Sequence, residues 1–135
     1  FVSLSAPTNA TLLTTQGVGT ITNDDAPPVL PSLSINNVSL AESSGGTVAV
    51  FTVSLTGSSS QTVTVNYATA NNTAIAGSDY TAVSGSLSFA PGQTTQTIEV
   101  PIIGDTLVEA NETFFVSLSA PTNATITTAQ GTGSI

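Results

Sequence analysis

Residues 1–11 read FVSLSAPTNAT, and residues 115–125 read the same string again. Extended without a gap to Ile21 and Ile135, the two segments agree at 16 of 21 positions, and most replacements are mild, such as Leu12 against Ile126 and Thr20 against Ser134. A match of this length at a fixed offset of 114 residues marks a unit reused in tandem. The duplicated string alternates apolar and polar residues, so the reused unit is built from strands. One full copy is expected to begin near Ser32. Residues 1–25 are then the last two strands of a preceding copy, and 26–31, with Pro27, Pro28 and Pro31, form a stiff linker. The chain is expected to be a piece of a longer array.

Within the full copy, period-2 alternation predicts seven strands: 32–42, 47–56, 61–69, 83–90, 94–103, 112–120 and 124–135. The inward faces are legible as Phe51, Val53 and Leu55; Val63, Val65 and Tyr67; Leu87 and Phe89; Ile98, Val100 and Ile102; and Phe114, Val116 and Leu118. The turn Ala90-Pro91-Gly92-Gln93 separates two of them. No segment has helical periodicity. Apolar content of 39% suits a sheet that buries one face only. Seven short strands with turns between them predict an all-β, Ig-like Greek-key sandwich, with an extra two-strand segment ahead of it.

Charge narrows function further. The chain has eight carboxylates and no Lys, Arg or His, so no side-chain salt bridge can form. Nothing can neutralise phosphate, which excludes nucleic-acid binding. Without Cys there is neither a disulfide nor a thiolate ligand. No run of about 18 apolar residues suggests membrane insertion. An enzyme is not expected, because His, Cys and Lys are all missing. A carboxylate pair could hydrolyse glycosides, but with no Trp there is little aromatic surface to hold a sugar.

Seven of the eight acids fall at predicted strand ends: Asp24, Asp25, Glu42, Asp79, Asp105, Glu109 and Glu112; Glu99 lies within a strand. Because successive strands alternate in direction, the connections after the first, third and fifth strands share one pole. That places Glu42, Asp79, Asp105, Glu109 and Glu112 together. The last strand returns to the same pole, so an Asp pair following it, like Asp24-Asp25 after the earlier copy, arrives there too. Two unit charges at about 4 Å repel by roughly 4 kcal/mol at an effective dielectric of ~20. With no internal cation, protonation or an external ion must relieve this. Oxygen-only ligands select a hard cation, and Ca²⁺, with its flexible coordination, fits best.

These residues resemble the Calx-beta domain, found in sodium–calcium exchangers, an integrin β subunit and repetitive bacterial surface proteins. The resemblance is carried by Leu40-Ala41-Glu42, by NYATANNTAIAGSDYTAVSGSLSFAPG at 66–92, by VPIIGDTLVEANETFFVSLS at 100–119 and by ITNDD at 21–25. It covers residues 32–135, with 1–25 matching the end of a second copy. It implies Ca²⁺ held by Glu42, Asp79, Asp105, Glu109 and Glu112, with the terminal Asp pair as further ligands. Exchanger domains carry a longer acidic run where this chain has Gly104 and a single Asp105, which implies fewer ions and weaker binding.

The expected function is a calcium-stiffened structural repeat of an extracellular or cell-surface protein, such as a stalk, adhesin or matrix fibre. Its partners would be neighbouring repeats or identical chains, including strand-swapped or fibrous assembly of the unpartnered segment 1–25. The alternative is a ligand-binding adhesive module.

Overall fold

The computed structural model describes residues 1–26 and 29–135; Pro27 and Pro28, in the expected linker, lie outside the described residues. Among the described residues, eleven strands run in the order β1 (Val2–Ser3), β2 (Gln16–Gly17), β3 (Ser32–Ile35), β4 (Val38–Ser39), β5 (Thr47–Thr56), β6 (Val63–Asn71), β7 (Ser84–Phe89), β8 (Thr95–Ile102), β9 (Thr113–Thr122), β10 (Thr125–Thr128) and β11 (Gln130–Ser134). One sheet has the order β10-β3-β5-β8 and the other β4-β11-β9-β6-β7, and the two enclose a single apolar core. The fold is the expected all-β sandwich.

Alternation places every predicted inward position in or against the core. Phe51, Val53, Val63, Val65, Phe89, Val100, Phe114 and Val116 are fully buried, while Tyr67 and Leu87 pack at its margin. Phe114 sits at the centre, stacked on Tyr80 with centroids 4.6 Å apart and meeting Phe51 edge-on at 5.9 Å. Such aromatic pairs add about 0.5–1.5 kcal/mol each beyond the area they bury.

The first and last predicted strands are each divided between the two sheets. The segment 32–42 is β3 in one sheet and β4 in the other, and 124–135 is likewise β10 and β11. Crossing from sheet to sheet interrupts the ladder, and two side chains repair it. Asn36 Oδ1 accepts from the Thr52 amide at 2.7 Å, and Asn37 Oδ1 accepts from the Thr132 amide at 2.9 Å. A hydrogen bond of this kind adds about 0.5–1.5 kcal/mol. β4 and β11 then run parallel, as do β3 and β10, which closes the side of the sandwich.

The duplicated segment reproduces its copy in local structure. β1 pairs with β2 through Val2↔Gly17 and Ser3↔Gln16, the register of Val116↔Gly131 and Ser117↔Gln130 in β9 and β11. Leu4 N donates to Thr15 O at 2.9 Å, as Leu118 N does to Ala129 O at 2.7 Å. Ala6 and Asn9 take positive φ, as do Ala120 and Asn123. Burial does not follow: Val2 and Leu4 are 71% and 58% exposed, where Val116 and Leu118 are 0% and 5%.

Candidate metal centre

Loops at one pole of the sandwich gather the acids. A tight turn after β4 begins at Ser43, whose carbonyl accepts from Gly46 N at 2.8 Å and whose hydroxyl donates to Gly46 O at 2.9 Å. Gly46 has φ +76°, which glycine adopts without steric cost. Glu42 stands immediately before this turn. Gly104 packs against the same turn so closely that a side chain there would enter the Ser43 carbonyl.

The loop between β6 and β7 is anchored inward by Tyr80, whose ring is buried and whose hydroxyl donates to Asn71 Oδ1 at 2.6 Å. Asp79 closes the turn beside it: its Oδ2 accepts from Ile75 N at 2.6 Å, and its backbone carbonyl accepts from Ile103 N at 2.9 Å. The second bond ties this loop to the loop between β8 and β9. That loop opens with Asp105, whose Oδ1 accepts from Leu107 N at 2.6 Å. It ends at Glu112, which exchanges both backbone hydrogen bonds with Ile135 at 2.8 and 3.0 Å. The last strand therefore finishes at the same pole.

Between these loops lies an open basin of about 600 Å³. Glu42, Asp79, Glu109 and Glu112 line it, together with Leu40, Leu107, Val108 and Ile135. Glu42, Asp79 and Glu112 are half-buried and Glu109 is exposed. Asp105 is outside the lining, yet its charge reaches Glu109. Asp24 and Asp25 are exposed and take no part in the basin. Glu99 points outward from β8, as its place within a strand suggested.

The charges in the basin feel one another. Glu112 is pushed above the usual carboxylate range, first by loss of surrounding water, then by the charge of Asp79 and a hydrogen bond to it, then by Glu109 and Glu42. Glu109 is raised too, by desolvation first and then by Asp105, Glu42 and Asp79. Among the described residues, no three carboxylates stand close enough to grip one ion as they are placed. The donor set is oxygen only, which fits a hard divalent cation and excludes soft ones. Glu42, Asp79, Glu109 and Glu112 are the residues that would hold it, with the charge of Asp105 close to Glu109. Sequence reasoning did not identify the apolar Leu107-Val108 crest, because it depends on the path of a loop that carries no periodicity.

A two-sheet sandwich with four carboxylates lining one basin at a single pole carries the oxygen donor set of a hard-cation site. The sequence model of the Calx-beta domain matches residues 24–133, and the chain belongs to that family. Sodium/calcium exchanger 1 of Canis lupus familiaris is 43% identical over 74 residues, which cover 55% of this chain and 8% of the exchanger. Sodium/calcium exchanger 3 of Homo sapiens is 39% identical over 74 residues, with the same coverage of 55% and 8%. The match thus spans less than a tenth of these relatives. Among solved structures, CBD12 from CALX1.2 superposes with a TM-score of 0.69 at 27% identity, covering 77% of this chain and 44% of that one. The calcium binding domain CBD12 of CALX1.1 gives 0.64 at 26% identity, covering 75% and 44%. The apo-form Calx CBD1 domain shares the fold, with a TM-score of 0.64 at 24% identity over 78% of this chain and 96% of that one.

Proposed function

We propose that this Calx-beta domain is a calcium-binding structural repeat of an extracellular or cell-surface tandem-repeat protein, in which Ca²⁺ stiffens the junction between repeats. The observation that carries this is the basin itself: four carboxylates around one opening, in a chain with no cationic side chain to neutralise them. Ca²⁺ is held by Glu42, Asp79, Glu109 and Glu112, with Asp105 joining. By analogy with Asp24-Asp25 after the earlier copy, an Asp pair after β11 would reach the basin as well. Because β11 ends on that basin, the ion ties the strand end to the segment that leaves it. Extracellular calcium, at about millimolar levels, fills even sites in the 10⁻⁴–10⁻³ M class. The role is binding rather than catalysis, since no His, Cys or Lys is available as nucleophile or base.

The test is calorimetric Ca²⁺ titration with thermal melts in calcium and in chelator. Calcium at about 10 to 100 times its dissociation constant adds about 1.4–2.7 kcal/mol to stability. That is roughly 6–20 °C in Tm for a domain of this size. Asp105→Asn with Glu109→Gln removes most of the rise. A Tm indifferent to calcium would defeat the mechanism.

The exposed hairpin at 1–21 supports a second element of this reading. It has the register of β9 and β11 but leaves Val2 and Leu4 uncovered, so it is a closing element that seeks the sheet of another repeat or chain. A concentration-dependent oligomer lost on deleting residues 1–25 is expected in sedimentation, and an unchanged monomer refutes it.

A further inference from the structure

The basin carries one feature that cation binding does not use. Leu107 and Val108, on the loop between β8 and β9, are 70% and 103% exposed on its rim. Asp105 holds them there through its bond to Leu107 N. At the opposite pole the chain enters β3 through Val29 and Leu30, which are 96% and 48% exposed. Next comes Pro31, pinned by the 2.9 Å bond from Thr125 N to its carbonyl. Each end of the sandwich therefore presents two uncharged apolar side chains beside a strand terminus.

The internal repeat says which segment follows such a terminus. Ile21 holds the place of Ile135, and Val29 follows it by eight residues. Eight residues span at most about 26–29 Å. Ile135 and the Leu107-Val108 pair border the same basin of about 600 Å³, so the following segment reaches the pair with chain to spare. Exit pole then meets entry pole, a head-to-tail contact that repeats along an array. The basin beneath this contact holds four carboxylates, so a cation that neutralises them favours the approach of the two copies.

We infer that, in a tandem run of this unit, the Leu107-Val108 crest of one copy is covered by the Val29-Leu30 segment entering the next. This rests on the junction role proposed above and names its apolar half.

The chain has no Cys, so an introduced pair reports contact cleanly. The full chain is extended by one period, with residues 22–135 repeated after Ile135. Val108→Cys is placed in the first copy and Val29→Cys in the second. A control moves the first thiol to the exposed outer face of β8 by Thr97→Cys. A disulfide needs Cβ atoms about 3.5–4.5 Å apart, so oxidation reads the contact directly. The expected result is closure about tenfold faster than the control in calcium, falling to the control rate in chelator. Calorimetry on the same proteins separates the two ideas. Calcium binding with closure no faster than the control overturns the contact and leaves the ion's role standing. Fast closure without calcium binding supports the contact and defeats the ion's role.

Discussion

Replacing Gly104 by alanine tests how the acidic pole is held together. Gly104 is not among the glycines with positive φ, so the backbone itself accepts alanine. The conflict is one of space. A Cβ at this position would enter the Ser43 carbonyl oxygen and would lie 2.5 Å from Gly46 N and 2.8 Å from Ser43 C. Ordinary contact begins at 3.4 Å; Gly46 N alone demands 0.9 Å, the difference between 2.5 and 3.4 Å, and the nearer Ser43 carbonyl demands more. All three neighbours are backbone atoms, and no rotamer change relieves them. Overpacking of this kind costs about 1–3 kcal/mol. Lower entropy of the unfolded chain returns about 0.4–1 kcal/mol. The net loss of about 1–2 kcal/mol lowers Tm by roughly 5–15 °C in a domain of about 100 residues. Because Glu42 adjoins the displaced turn, the calcium-induced rise in Tm shrinks as well. Scanning calorimetry of both proteins, in chelator and in calcium, measures the two effects. A chelator Tm within about 2 °C of the parent would show that the two loops are not packed as described.

Acidification stabilises the calcium-free chain. Glu109 and Glu112 are raised in the folded state, so their contribution is fully present below the ordinary Glu pKa and is lost as pH rises through the raised values. In chelator, Tm therefore climbs as pH falls from neutrality toward the ordinary Glu range. Calcium flattens the slope by taking the proton's place, and Glu112→Gln reduces it; melts across pH that show no slope in chelator contradict the crowding of these acids. Phe114→Ala removes a fully buried ring that contacts both Phe51 and Tyr80. It costs about 3–5 kcal/mol, a large part of the usual 5–15 kcal/mol; denaturant unfolding measures it, and a loss below about 1 kcal/mol is incompatible with a central ring.

Most of the fold was legible because burying one face of a strand writes a period of two into the sequence. The strands at 47–56, 63–71 and 95–102 show it plainly. The division of the first and last strands was also written there, as a change of phase. Leu33 and Ile35 are odd-numbered, whereas Val38 and Leu40 are even, and the slip falls at Asn36-Asn37, where the chain crosses between sheets. In the last strand the same slip is hidden, because its inward residues after Ala129 are Gly131 and Gly133. Glycine stands there because a Cβ at 133 would enter the Phe114 ring of the neighbouring strand and one at 131 would enter the Asn36 carbonyl. Hydropathy does not register a core position filled by a neighbour's atoms. The pole was legible as topology, since strand direction alone brings the loops of Glu42, Asp79, Glu109 and Glu112 together. Which acids touch was not, because that depends on hydrogen bonds such as Ile75 N to Asp79 and Leu107 N to Asp105.

The duplicated segment separates what local sequence specifies from what packing supplies. Residues 1–21 and 115–135 share a pairing register, a turn with two positive-φ residues and an equivalent backbone hydrogen bond, although one segment lies in a core and the other does not. Those features therefore belong to the string itself. Burial belongs to the partner: Val116 and Leu118 are enclosed only because β5, β8 and β3 face them across the sandwich. Uncovered, the same side chains at Val2 and Leu4 forgo about 1.5–3 kcal/mol each. A hairpin of two short strands is marginal in water without such cover. The same division holds at the acidic pole. Backbone bonds within the chain set the loops in place, while the charges they carry are balanced by nothing the chain contains. Both the exposed hairpin and the acidic basin are complete as local structure and incomplete as interactions.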